Sequence, residues 1–248
     1  MRRNFWILFA IILLCLSCVC SVGSGQEHVV TLEDGTPLGG EGFQGVPPSY
    51  LAVVKVETSH SGNWVGSGSF ISDRLILTCY HNVRGVKKGD RVGIHTTNGT
   101  VYWKTRVTHT HVDHDLALIY IDDPKVEYHR ILKVMDTPYS LRDVSLMGFK
   151  PSSNALTITG GLPTGRRFGN NGKRYPITIE TTCSIVQGMS GGPMIDASLH
   201  LVGVGIQGDQ KTSHVVMLKH IHSFLDSYTG PKGNVDDPWD WLRFDPGR

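Results

Sequence analysis

Ser190 lies in "QGMSGGPM", Gln187–Met194, where three glycines crowd one serine and a proline follows. Glycine at this density implies a backbone bent in ways a side chain would block. Two structures fit: a turn that presents a nucleophilic hydroxyl, or a plain turn between strands. A serine hydroxyl is a poor nucleophile by itself. It needs an adjacent base, usually histidine, and the base needs a third group to fix its tautomer.

The chain holds 12 histidines, so context has to select the base. "LILTCYHNV" places His81 just after an apolar strand, where a loop can aim the ring into a cleft. For the third group, Asp115 opens "DLALIYID", a buried-strand pattern that would hold a carboxylate rigidly and away from water. Asp113 is the competing acid, on the same face if the strand extends back. Asp115 could also be a plain turn residue capping a strand end. His109, His111 and His114 alternate in a metal-like way, but no cysteine or glutamate framework accompanies them. An exposed, pH-responsive strand accounts for them equally.

The elements that would carry these residues read as short β-strands. "LAVVKVET", "GSGSFISD", "RLILTCY", "DRVGIHTT", "TVYWKTRVTH" and "DLALIYID" come first; "DVSLMGF", "ALTITGG", "YPITIETT", "LHLVGVGIQG" and "SHVVML" follow. They are rich in Val, Ile, Thr, Tyr and Leu and are bounded by Gly, Pro, Asn and Asp. Closely spaced strands of this kind predict an all-β sandwich or barrel. Pro124–Asp143 is less regular and could link two halves. One helix is expected, "LKHIHSFLDSY", with Leu218, Ile221, Phe224 and Leu225 on one face.

Arg2 and Arg3, the apolar run "FWILFAIILLCLSCVC" and the small residues "SVGSG" describe a secretory signal over residues 1–23. An uncleaved anchor is the alternative, because Phe5 to Val22 carries no charge. The expected location is therefore extracellular, with membrane association only if the signal stays. Cys15, Cys18 and Cys20 leave with the signal, so Cys79 and Cys183 are the two that remain. That leaves at most one bridge, few for an exported domain, and stability must come from the core. The net charge of +2 argues neither for nor against nucleic acid, and no nucleic-acid partner is expected. The remaining chain has no basic run, no phosphate loop and no CxxC pair, so neither cofactor nor metal is expected. Asn98-Gly99-Thr100 is a glycosylation sequon and equally a type I′ hairpin turn.

"LTCYHNV", "HDLALIYI" and "IETTCSIVQGMSGGPMI" resemble the His, Asp and Ser boxes of the trypsin/chymotrypsin-fold serine peptidases. The order and the intervals fit, and the third box is most similar to the HtrA-type and glutamyl-endopeptidase branch. The likeness runs over residues 50–228. It implies two six-stranded antiparallel β-barrels packed face to face with the active site between them. The first would span 50–135 and the second, with the helix, 136–228. A Gly-rich leader (24–49) would precede them and a loose tail (229–248) follow.

The resemblance makes His81 the base, Asp115 its orienting acid and Ser190 the nucleophile of an endopeptidase, and it places the oxyanion hole at the N–H groups of Gly188 and Ser190. It also implies a first pocket with Ser184 at its base and His214 on its wall. Ile206 and Gly208 would lie on the strand that pairs with extended peptide. Ser184 argues against a preference for Arg or Lys, and His214 could meet an acidic or amide side chain or simply face solvent. No paired cysteines are implied at 79 and 183. The partner is a protein or peptide substrate, and a monomer is expected. The motif G-x-S-x-G also fits the elbow of α/β-hydrolases, but Pro193 and a strand-like run follow where that fold needs a helix.

Two departures from digestive relatives agree. Those enzymes seat a new N-terminal amine beside an acid preceding the nucleophile; here that residue is Met189. No Lys or Arg lies between Arg3 and Lys55 to offer a tryptic activation site. Asn82 stands where a cysteine usually follows the base. The loop before Ser190 must then be held by local contacts, with Met189 as an apolar plug. A catalytically silent homologue acting as a binding module is the other functional class, though such a module has no physical need of His81, Asp115 and Ser190 together.

Overall fold

The computed structural model describes residues 27–29, 48–58, 64–87, 90–126, 131–135, 143–151, 156–169 and 176–231. The expected signal and most of the expected tail lie outside those residues. The chain enters as β1 (Glu27–Val29), within the expected leader, and a 3-10 turn over Pro48–Ala52 leads into the first sheet. That sheet comprises β2 (Val53–Thr58), β3 (Trp64–Phe70), β4 (Leu75–Cys79), β5 (Val92–Thr96), β6 (Val101–Tyr102), β7 (Thr105–His111) and β8 (Leu116–Ile121). Its order is β6-β5-β2-β3-β4-β8-β7, antiparallel throughout. The two ends curl together, where Thr105 Oγ1 donates to Val92 O at 2.6 Å.

The second sheet contains β9 (Val144–Phe149), β10 (Leu156–Gly161), β11 (Pro163–Gly169), β12 (Pro176–Thr181), β13 (Pro193–Ile195), β14 (Leu201–Gly208) and β15 (Ser213–Met217). With β1 on its edge the order is β1-β10-β9-β13-β14-β15-β12-β11. It closes where Thr159 Oγ1 reaches Ser184 O at 2.7 Å and Leu162 N reaches Thr182 Oγ1 at 2.9 Å. The expected double-barrel architecture is present, but with seven and eight strands among the described residues rather than six and six. The extra strands are short or irregular: β6 has two residues, and β1 is an edge addition.

β4 and most of β8 are buried along their whole length, which is why "LILTC" and "LALIYI" read as continuous apolar runs rather than alternating ones. Phe70, Leu77, Leu118 and Ile119 from the first sheet and Leu146, Val204 and Val216 from the second belong to one continuous core. Burying each large side chain contributes about 1.5–3 kcal/mol.

Two helices appear. The four-residue α1 (Tyr80–Val83) was not anticipated. The C-terminal α2 (Leu218–Asp226) buries Leu218, Ile221, Phe224 and Leu225, the face its sequence predicts. His109 of β7 fastens this helix: its ring stacks on Phe224 at 4.9 Å and Nε2 lies 2.9 Å from Ser227 Oγ. His111 stacks on His114, whose ring lies 4.6 Å from His220. These histidines join the C-terminal segment to the first sheet.

The Asn98-Gly99 hairpin is not type I′. Among its residues only Gly99 has positive φ (86°), and Gly99 N donates to Thr96 O at 3.1 Å. This is a type I turn closed by a glycine bulge, which needs one left-handed residue instead of two. Asn98 is exposed.

Candidate active site

His81 is held by the end of β4. The last buried residue, Cys79, keeps an extended backbone, and the chain then turns into α1, which lifts the His81 ring out of the sheet. Asp115 meets it from the neighbouring strand. The turn before β8 ends in a left-handed residue, Asp115 at φ 54°. Asp tolerates this region better than most residues with a side chain. The backbone is pinned there by Tyr80 N to Asp115 O at 3.0 Å and Asp115 N to Val112 O at 3.2 Å. The carboxylate grips His81 twice. Oδ2 lies 2.7 Å from Nδ1, and Oδ1 accepts from the His81 backbone N–H at 2.9 Å. With Nδ1 committed to the acid, Nε2 is the nitrogen that can take a proton. Asp113, two residues before, is exposed.

Cys79 Sγ completes a cluster with His81 and Asp115 whose polar atoms lie within 4.8 Å of one another. Complete burial, and after it the negative charge of Asp115, push the thiol well above its ordinary pKa. It therefore keeps its proton, which it donates to Gly205 O at 3.3 Å. A thiol in this state is a poor metal ligand, because the thiolate is the ligating form.

Ser190 comes from the other sheet, in the turn between β12 and β13. Gly188 has φ 90°, and a Cβ there would run into Phe149 O and the Pro151 ring. The glycine is thus required by conformation and by space. The Met189 carbonyl accepts from Gly192 N at 2.9 Å. Because the peptide unit is planar and trans, this turns the Ser190 N–H the opposite way. Among the described residues, neither Gly188 N–H nor Ser190 N–H donates to a protein acceptor. Met189 is completely buried.

The Ser190 hydroxyl donates to Ile206 O at 2.6 Å rather than to His81. The turn is nonetheless tied to the His81 side of the cleft. Ser190 O accepts from Ser67 N at 2.8 Å and from Asn82 Nδ2 at 2.7 Å. Sequence patterning gave no sign of Ser67 or Asn82 as cross-sheet contacts.

Ser184 is buried and its hydroxyl has no hydrogen-bond partner among the described residues. Gly208 pairs with Ser213, whose hydroxyl lies 2.8 Å from Thr181 Oγ1. His214 is the next residue of β15 and so points to the other face, opposite Glu180 of β12. Ser213 rather than His214 therefore flanks Gly208. Ile185 was missed: its side chain lies beside Gly205 and Gly208, and together with Thr212 O it leaves no room for a Cβ at 208. Ile206 sits at a bulge in β14, between the pairs Gly205–Val215 and Gln207–His214.

The model of the trypsin-like peptidase domain matches residues 66–204, more than half of the chain. The chain belongs to the trypsin-like peptidase family. A mitochondrial Do-like protease of Arabidopsis thaliana is 28% identical over 68% of this chain and 34% of its own length. The magnetosome formation protease MamE of Magnetospirillum gryphiswaldense is 26% identical over 64% of this chain and 21% of its own. The chain thus spans about a third or less of these two relatives. Among solved structures, the active form of the Rv3671c protease from M. tuberculosis shares the fold with TM-score 0.61 and 22% identity, covering 75% of this chain and 85% of that one. An HtrA-type protease solved with a tripeptide has TM-score 0.61 and 20% identity, over 73% and 60%.

Proposed function

We propose that this chain is a secreted serine endopeptidase working through His81, Asp115 and Ser190. The observation that carries the reading is the two-point grip of Asp115 on His81, with the residue after His81 bonded to Ser190 in the opposite sheet. In the reaction His81 Nε2 takes the Ser190 proton as Oγ attacks the scissile carbonyl. The Gly188 and Ser190 N–H groups receive the oxyanion; one such donor is worth about 3 kcal/mol of barrier. His81 then passes its proton to the leaving amine, and water, activated by the same ring, releases the acyl group from Ser190 Oγ.

Peptide would lie along Ile206–Gly208. Register leaves room for it, since β13 pairs with β14 only as far as Val204. An added strand fits that edge. Ile185, Ser184 and Ser213 would make the first pocket shallow and uncharged, suiting a small aliphatic side chain. Export rests on the N-terminal sequence. Among the described residues no helix is long and apolar enough to cross a membrane.

A silent binding homologue draws on one observation, the Ser190 hydroxyl turned to Ile206 O. Apo hydrogen bonds in catalytic sites often realign once substrate is bound. A fluorophosphonate probe with peptide mapping decides between the two. Labelling at Ser190 that disappears in His81→Ala supports the enzyme. Folded protein that takes no label refutes it.

A further inference from the structure

We infer that Asn82 is a positioning residue, a polar clamp that fixes the nucleophile turn to the helix carrying the base; its catalytic consequence rests on the peptidase reading above. Asn82 Nδ2 donates to Ser190 O at 2.7 Å and to Thr78 Oγ1 at 3.0 Å. Thr78 Oγ1 in turn donates to Ser67 O at 2.7 Å. Only the amide nitrogen fits against Ser190 O, because a carbonyl oxygen can only accept. Ser67 N fills that oxygen's other lone pair at 2.8 Å, and Ser67 Oγ donates to Gly188 O at 2.7 Å while accepting from Phe149 N at 2.8 Å. On the far side of Ser190, Gly191 N donates to Gly205 O at 2.7 Å. The peptide unit between Ser190 and Gly191 is therefore fixed at its oxygen and at its hydrogen.

The chain makes room for this side chain. Gly66 lies directly beneath the Asn82 carboxamide, and a Cβ on Gly66 would overlap it. The glycine is the cradle of the clamp. Because Asn82 directly follows His81, one side chain registers base and nucleophile across the two sheets, although 108 residues separate the bonded pair. The turn has no acid to pair with an N-terminal amine, since its residue 189 is a buried methionine. The clamp supplies from the first sheet the order that such an ion pair would supply from within the second.

The test uses full-length protein with Asn82→Ala, Asn82→Asp and, leaving Asn82 itself intact, Gly66→Ala. Hydrogen exchange of peptides covering 186–195 reads the clamp without needing catalysis. Fluorophosphonate labelling of Ser190 reads its consequence. Asn82→Ala should raise exchange in 186–195 and leave β4 and β8 as in wild type. Labelling should slow about 10- to 100-fold, the scale of a small misplacement of reacting groups. Gly66→Ala should reproduce both effects by displacing the carboxamide. In Asn82→Asp an ionised carboxylate faces Ser190 O and cannot donate, whereas a protonated one can. Its labelling rate relative to wild type should therefore climb as pH falls, a trend that a merely structural loss would not produce. Exchange in 186–195 unchanged by Asn82→Ala would overturn the clamp, as would labelling within about twofold of wild type. If wild type takes no label, the peptidase reading fails and the exchange measurement still decides the clamp.

Discussion

Asp115 holds His81 at two points, ring Nδ1 at 2.7 Å and backbone N–H at 2.9 Å, from a left-handed backbone that few side chains tolerate. Orientation of the ring and of the segment bearing it thus depend on one carboxylate. Asp115→Asn keeps the shape and tolerates the same backbone, so the fold should survive. Turnover should fall roughly ten-thousand-fold through the wrong tautomer. Asp113→Asn should be nearly silent. If the two variants exchange these outcomes in a peptidase assay, the acid has been misassigned.

Ser190→Ala should abolish hydrolysis with an unchanged melting temperature, because only the nucleophilic oxygen is lost. His81→Ala should cost about as much, on the order of a million-fold, since the triad acts as a unit. Near-normal turnover in either purified variant would sink the assignment.

Much of this site was legible because it is encoded locally. "LTCYHNV" and "DLALIYID" each hold a strand and the residue it delivers, and the glycines around Ser190 announce a turn whatever surrounds it. Helix α2 was legible from the spacing of Leu218, Ile221, Phe224 and Leu225. What escaped was encoded elsewhere. Strand β11 carries Pro163, Arg166 and Arg167 on an exposed edge, where pairing rather than apolar pattern makes the strand. The Ser67 and Asn82 bonds to the nucleophile turn join residues more than a hundred positions apart. No window of sequence contains both partners. His214 was misplaced for a smaller reason: a one-residue offset in register moves a side chain to the opposite face.

Cys79 and Cys183 are both buried free thiols with separate partners, Gly205 O and Val144 O. Burial is the leading cause of a raised pKa in each, and Asp115 adds to it at Cys79. Native protein should resist iodoacetamide at neutral pH, because the thiolate is the reactive form. After unfolding without reductant, mass spectrometry should find both residues alkylated. Rapid modification of the native protein, or two unlabelled cysteines after unfolding, would contradict this.

His109 should make stability fall on mild acidification. Burial, and then the charge of His111, lower its pKa from 6.5. The unfolded chain then binds the proton more readily, so stability is full above about pH 6.5 and declines as pH drops through the lowered folded value. The ring's stack on Phe224 ties this loss to the docking of α2. His109→Phe preserves the stack and removes the titration. Its melting temperature should decline less than wild type between about pH 7.5 and about pH 5. Parallel declines would assign the acid sensitivity to other groups.

Activation should need no new N-terminus. In digestive relatives the loop before the nucleophile is ordered by an amine that inserts beside an acid. Met189 fills that place here, completely buried, and its carbonyl and amide are spent on Gly192 N and Val186 O. Ser67 adds a hydroxyl to Gly188 O from the other sheet. These contacts are all made in the uncut chain. A protein beginning at Gln26 behind an N-terminal tag should therefore titrate with one active Ser190 per chain, untouched by trypsin. Met189→Asp should destabilise the fold, since it would bury a carboxylate with no cation beside it, and such a charge is costly when unpaired. Met189→Leu should be tolerated within about 1.5 kcal/mol. A tagged protein that stays silent until trypsin trims it would show that the turn does wait for an N-terminal trigger, and that the contacts from Ser67 and Asn82 are too weak to order it.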